Sequence, residues 1–261
     1  MQVPFFAPIS SAQEWPNNRG HLLSAGEIQI WKASLNVDGG TLAGSYALLS
    51  GDEKMRADRL RIDAARRRFI GAHAILRRIL GIILGQPPAE VILSAAPGGK
   101  PFLPEAPLMS SKPIRFNLAH SLDWMLVSVS RDFETGIDLE FVDPEVEFEQ
   151  ISTHFFSAPD LAWLESRPAD QKLAAFFRMW TCKEAVLKAE GSGIRLGLAE
   201  VQIDFKGDDS AKGVIAGDRH AGRGWTICVF EPAARYIAAL ATESNASAAE
   251  SPKLTYFQWM G

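Results

Sequence analysis

The sequence reads as an α+β chain. Period-2 alternation marks several short strands, apolar stripes at helical spacing mark two long helices, and a strand, a long helix and a strand pair occur before residue 135 and again after it. No repeat shows at the level of residue identity. The expected division is an N-terminal loop over residues 1–26, an N-terminal half over 27–134, a C-terminal half over 135–242 and a tail over 243–261.

Residues 1–26 carry Pro, Asn and Ser without a sustained period, which predicts a loop. Glu27 to Leu35, with Ile28, Ile30 and Trp31, is the first strand and stops at Asn36 to Gly40. Ser50 and Glu53 form a capping-box pattern that opens a helical region reaching Leu84. Phe69, His73, Leu76, Leu80 and Ile83 share one face of it, and Gly85-Gln86-Pro87-Pro88 ends it. Val91-Ile92-Leu93 is a short strand. The turn Pro97-Gly98-Gly99-Lys100-Pro101-Phe102 follows, without the spacing or the Ser/Thr of a P-loop.

Ile114, Phe116 and Leu118 alternate with Arg115 and Asn117 in a strand ending at Ala119-His120-Ser121, and Trp124 to Ser130 returns as the second strand of a hairpin. Gly136-Ile137-Asp138-Leu139-Glu140 is the next strand. Ala158-Pro159-Asp160 stops and restarts a helix-rich region. A second long helix runs from Asp170, a candidate N-cap, to Ala189, and Gly191 is placed to end it. Val201 to Phe205, Trp225 to Phe230 and Tyr236 to Leu240 read as closing strands. Glu243 to Ser251 reads as mobile, and the aromatics of Leu254 to Met260 have no role assigned.

Bulk composition bounds the function. A chain of 261 residues, 47% hydrophobic and 22% charged, buries a sizeable core. Its net charge of -4 gives no sign of a wholesale nucleic-acid binder. Two cysteines, Cys182 and Cys228, make neither a disulfide framework nor a zinc spacing. The N-terminus lacks a basic signal region, and the longest apolar run, Ile79 to Leu84, is far too short for a bilayer. A soluble cytoplasmic protein is expected.

Four features carry chemistry. A strand sends Asp138 and Glu140 out of one face with Cα atoms roughly 6.6 Å apart. That suits either the wet face of an antiparallel strand or a hard cation with phosphate and water ligands. On the second long helix, Glu184 lies at the edge of an apolar stripe that contains Lys183, one turn before Lys188. A carboxylate so placed needs compensation, either from Lys188 alone or by completing a three-carboxylate metal site with Asp138 and Glu140. The first long helix is the most basic part of the chain, and Arg67 lies opposite Phe69, where it could meet a phosphate or an acidic protein surface. His120 at its strand end is either a core histidine or a phosphate donor.

In order, these motifs resemble the 4'-phosphopantetheinyl transferase superfamily, in its broad-specificity, surfactin-synthetase-activating type. The resemblance rests on Gly99-Lys100-Pro101-Phe102, Phe116-Asn117-Leu118-Ala119-His120-Ser121, Gly136-Ile137-Asp138-Leu139-Glu140, Phe155-Phe156-Ser157, and Trp180-Thr181-Cys182-Lys183-Glu184-Ala185-Val186-Leu187-Lys188 with Gly191-Ser192-Gly193 behind it. It covers roughly residues 27–205. It implies two similar pseudo-symmetric halves, each a small sheet packed on a long helix, with the active site in the cleft between them. It further implies holo-[acyl-carrier-protein] synthase chemistry: transfer of the phosphopantetheine arm of coenzyme A to a serine of an apo acyl, peptidyl or polyketide carrier, an acidic helical partner.

By the same resemblance, Mg²⁺ is held by Asp138, Glu140 and Glu184; Glu184 is the base and Lys188 the leaving-group partner. Coenzyme A is contacted by Arg67, Lys100, His120, Ser121, Lys183 and Lys188. A monomer is implied, without nucleic-acid or membrane partners. Ala119 stands where the family often has a serine. The acidic partner usual before the helix arginine falls at Ala64, beside Asp63, so Arg66, Arg67 and Arg68 compete for one role.

Overall fold

The computed structural model describes residues 1, 3–10, 23–36, 39–96, 99–104, 113–191, 197–207, 210–215, 224–244 and 251–261. Pro97, Gly98, Ser192 and Gly193, quoted above, lie outside these. Along the chain run β1 (Ala7–Ser10), β2 (Glu27–Ser34), α1 (Gly39–Leu48), α2 (Gly51–Arg59), α3 (Asp63–Leu84), β3 (Ser94–Ala95), β4 (Pro101–Phe102), β5 (Arg115–Ser121) and β6 (Trp124–Ser130). Then come β7 (Thr135–Phe141), α4 (Phe148–Phe155), α5 (Ala158–Glu165), α6 (Lys172–Glu190), β8 (Val201–Phe205), β9 (Ser210–Ile215), β10 (Gly224–Phe230), β11 (Tyr236–Ser244) and β12 (Lys253–Met260).

Two five-stranded sheets form, ordered β1-β12-β2-β6-β5 and β7-β11-β10-β9-β8. Each covers one face with one long helix. Trp31, Ala33, Val127 and Val129 pack on Ala72, Leu76, Ile79 and Leu80 of α3. Ile227, Val229, Ala239 and Ala241 pack on Cys182, Val186 and Ala189 of α6. The other faces meet each other, with Ile28, Ile30 and Leu126 against Ile137, Leu139, Ala238 and Leu240. Strand β2 is therefore buried on both sides, which is why its apolar residues do not simply alternate.

The likeness of the halves reaches individual residues. In each half a short helix opens with a capping box whose acid is also bonded by a base from the long helix. Glu53 caps α2 with Ser50 and accepts from Arg77 Nε at 2.9 Å and pairs with His73 Nδ1 at 2.9 Å. Asp160 caps α5 with Ser157 and accepts from Lys183 Nζ at 2.7 Å. A cap that costs about 1 kcal/mol to lose thus doubles as a tie between helices.

The sheets join edge to edge. β5 and β7 lie side by side without forming a ladder, and side chains bridge them: Ile137 N–H donates to Asn117 Oδ1 at 2.8 Å, and Phe141 N–H to Ser121 Oγ at 3.1 Å. Above this seam, α6 is pressed onto β7 at Gly136. A Cβ there would lie 2.0 Å from the Ala185 carbonyl oxygen and 2.3 Å from Ala189 N. Glycine below, with alanines at i and i+4 above, permits the contact.

Several expectations change. The single helical region from Ser50 to Leu84 is two helices, broken at Leu60, because α2 buries only Glu53 and Ala57 and has no apolar stripe to continue along α3. The strand expected at Val91–Leu93 forms at Ser94–Ala95, after a 3-10 turn over Pro88–Glu90. α6 starts at Lys172, with Asp170 inside a preceding 3-10 turn rather than capping it. The loop expected over 1–26 contains β1. The stretch expected as a tail contains β12, parallel to both β1 and β2, with Phe257 and Trp259 in the N-terminal core. Buried aromatics alternate there as in a sheet.

Gly136→Ala should lower unfolding free energy by at least about 3 kcal/mol, because the clash is with helix backbone and no rotamer relieves it. Urea denaturation checks this; a loss under about 1 kcal/mol would contradict the described contact.

Candidate active site

The site lies over the seam, between α3 and α6. Asp138 and Glu140 leave β7 toward α6, and Trp180, Glu184 and Lys188 recur every four residues along one line of that helix. Asp138 is 4% exposed. Its Oδ1 accepts from Lys188 Nζ at 2.6 Å, while Oδ2 is buried with no partner. Lys188 thus turns to the strand rather than to Glu184. Burial works against its charge, yet Asp138, Glu184 and Glu140 outweigh that and raise its pKa.

The three carboxylates press on one another. Glu140 accepts from Ser121 Oγ at 3.2 Å, and burial, with Asp138 and Glu184 beside it, pushes its pKa to about 7. Glu184 is raised too, first by burial and then by Asp138, against the pull of Lys188. A group short of positive charge results.

His120 is exposed at its strand end and is not a core histidine. Although part of the ring is exposed, desolvation of the rest lowers its pKa, and nearby Lys188 and Arg68 add to this, so the neutral imidazole is favoured. His120, His73, Arg68 and Lys188 form a donor-rich corner beside the carboxylates. Arg67 is not among them: it points outward and pairs with Asp63 at 2.7 Å. Facing away from the core also means facing away from the cleft. Arg68, about 100° further round the helix, reaches it and meets Asp123 at 3.4 Å.

Three further expected ligand contacts sit differently. Lys183 is fully buried, and its ammonium donates to Asp160, to the Leu198 carbonyl at 3.1 Å and to the Val201 carbonyl. All three protons are spent, so Lys183 ties α5 and β8 to α6 and offers nothing to coenzyme A. Lys100 donates to the carbonyls of Lys188 at 2.7 Å and Ala189 at 3.5 Å, closing the C-terminus of α6. That bond holds the end of α6 that carries Lys188, and Lys100 also lines the hollow beside Lys188. Ser121 spends its proton on Glu140 and so fixes that carboxylate.

His73 is the functional candidate that sequence spacing did not single out, and Arg68 is one of the three arginines between which the spacing left the choice open. His73 fits the apolar stripe and carries no signal of its polar partner, Glu53, twenty residues away. Two hollows adjoin the carboxylates. One of about 220 Å³ runs beside Lys188, lined by Gly99, Pro101, Asn117, Leu118 and Leu187. Another, of about 190 Å³, lies beside Glu140 and is walled by Val146, Ile151, Phe176, Phe177 and Trp180. A larger one of about 470 Å³ lies at the far end of the seam, by Arg115 and Glu134, away from these groups.

Carboxylates short of a cation, a lysine locked among them and hydrogen-bond donors for a phosphate alongside are the groups that phosphoryl transfer calls for. Residues 134–241 match the model of the 4'-phosphopantetheinyl transferase superfamily. The 4'-phosphopantetheinyl transferase HetI of Nostoc sp. is 35% identical over 219 residues, 84% of this chain and 89% of the relative. The 4'-phosphopantetheinyl transferase psf-1 of Bacillus pumilus is 32% identical over 163 residues, 62% of this chain and 66% of the relative. The holo-[acyl-carrier-protein] synthase structure of Thermotoga maritima aligns with 43% of this chain and 64% of that chain at 15% identity, with a TM-score of 0.35. The chain belongs to the 4'-phosphopantetheinyl transferase superfamily.

Two outcomes follow from the placements. Lys183→Met leaves Asp160 buried without its cation and should cost about 3–5 kcal/mol, read by urea denaturation, with KM for coenzyme A unchanged in protein that folds; a raised KM would return Lys183 to the ligand set. Glu140 has a folded pKa of about 7 against an ordinary 4.5, so its ionisation opposes folding. Its contribution is complete below pH 4.5 and is lost as pH rises to about 7. Glu140→Gln should therefore flatten the decline in melting temperature across that window; an unaltered pH profile would contradict the assignment.

Proposed function

We propose that this protein transfers the 4'-phosphopantetheine arm of coenzyme A to a serine hydroxyl of an apo carrier protein, releasing adenosine 3',5'-bisphosphate. The observation that carries the reading is the meeting of Asp138 and Glu140 with Glu184 and Lys188 at the Gly136 contact. The serine oxygen forms its bond to the phosphorus that carries the arm, the pyrophosphate P–O bond breaks, and the hydroxyl proton goes to a carboxylate. Glu184 suits that role, since its raised pKa makes it a better base than an exposed glutamate. Lys188, with its pKa raised, keeps its proton and stabilises the leaving phosphate by charge rather than by protonating it.

The superfamily uses Mg²⁺. The donor set suits a hard cation: Asp138 Oδ2 is buried without a partner, and burial, with Asp138 beside it, raises the Glu140 pKa to about 7, a shift that a bound cation would reverse. Among the described residues no three His, Cys, Asp or Glu stand close enough to hold an ion by themselves, so the carboxylates would share it with water and phosphate oxygens. Asp138, Glu140 and Glu184 would hold it, and when bound it supplies neutralisation of the pyrophosphate.

His120, His73 and Arg68 supply the corner for a terminal phosphate of coenzyme A. The hollow beside Lys188 suits the adenosine end, and the apolar hollow beside Glu140 suits the arm. The exposed Arg56 and Arg59 of α2 give an acidic carrier, including an acyl carrier protein, a surface to approach. Both halves of the site come from one chain, which supports a working monomer. No helix among the described residues is long and apolar enough to cross a membrane.

Incubation with coenzyme A, Mg²⁺ and apo carriers should add one phosphopantetheine mass to a carrier, and no gain with several carriers would refute the reading. Glu184→Gln should retain coenzyme A binding while kcat falls by about 10²-fold or more. Arg68→Ala should raise KM for coenzyme A about tenfold and Arg67→Ala should leave it near wild type; the reverse order would move the phosphate corner to Arg67.

A further inference from the structure

The β5–β6 turn holds a residue that fold stability does not explain. Leu122 has φ 45°, one of two non-glycine residues at positive φ among those described. For a residue that carries a Cβ this backbone costs on the order of 1 kcal/mol or more. Burial returns little of it, because Leu122 is 43% exposed. Glycine or asparagine would make the same turn without that cost.

The turn cannot relax, since both neighbours are clamped. Ser121 Oγ donates to Glu140 and accepts from Phe141 N–H. Asp123 meets Arg68, and its carbonyl accepts from Leu35 N–H at 2.7 Å. An apolar group is thus held at the mouth of the site, one residue from the serine that fixes Glu140.

We propose that Leu122 is a specificity contact for the carrier protein, packing against apolar surface beside the acceptor serine. This rests on the transferase reading above. Coenzyme A does not call for such a group here: the nearby phosphate-binding candidates, the His120 imidazole and the Arg68 guanidinium, are polar hydrogen-bond donors, and an isobutyl group at the turn tip adds nothing to a phosphate contact. The acceptor serine must come from solvent to the Glu140–Glu184 carboxylates, and a protein surface arriving there can cover the exposed leucine.

The test is steady-state kinetics of wild type, Leu122→Asn and Leu122→Met with coenzyme A, Mg²⁺ and an apo carrier, alongside thermal melts. Asparagine tolerates positive φ, so its melting temperature should equal or exceed that of wild type. Its KM for the carrier should rise about tenfold, the change expected for about 1.4 kcal/mol of lost contact, with KM for coenzyme A unchanged. Methionine should restore the wild-type carrier KM. An unchanged carrier KM in Leu122→Asn, or a rise in KM for coenzyme A instead, overturns the proposal while leaving the transferase reading standing. Failure of wild type to modify any carrier overturns the reading, and the proposal with it.

Discussion

The contact between Gly136 and the backbone of α6 sets the geometry on which the site depends. A helix normally stands off a sheet by the length of its side chains. Here one position of β7 has none, and Ala185 and Ala189 meet it directly. The closeness brings Lys188 Nζ within 2.6 Å of Asp138 and places Glu184 in the field of the same carboxylate. A wider spacing would admit water between strand and helix and screen the charges from one another. The electrostatics of the site are thus a consequence of packing.

Two lysines on that helix show how phase decides role. Lys183 and Lys188 are five residues apart, about 140° round the helix. One turns into the protein and spends its protons on Asp160 and two carbonyls. The other turns to the seam, among carboxylates in excess of its charge. The first is a strut, matched in the other half by Arg77 on Glu53. The second is the charge about which the chemistry is arranged.

Local signals in the sequence carried most of the fold. Capping at Ser50, left-handed Gly85 and Gly191, and alternation in β5, β6 and β7 each depend on residues within a few positions, and each formed where expected. Readings that went astray turn on contacts between distant residues. Nothing near Lys183 in sequence announces Asp160, and nothing near Lys100 announces the end of α6. The choice of Arg67 over Arg68 shows the limit of a helical wheel: it gives the direction away from the core, while the cleft lies along the core's edge. The carboxylate pair of β7 was legible from its period alone; its field needed α6 in place.

The position of β12 bears on how the protein is made. The strand lies between β1 and β2, so the N-terminal sheet includes residues 253–260. Chains commonly fold from the N-terminus as they leave the ribosome. In this one the first sheet stays incomplete until residues 253–260 are released. Throughout synthesis β2 presents an open edge of the kind that pairs with other chains, and β1 has no neighbour to join. A nascent chain stalled just before residue 253 carries both halves of the active site yet lacks the strand that closes the first sheet.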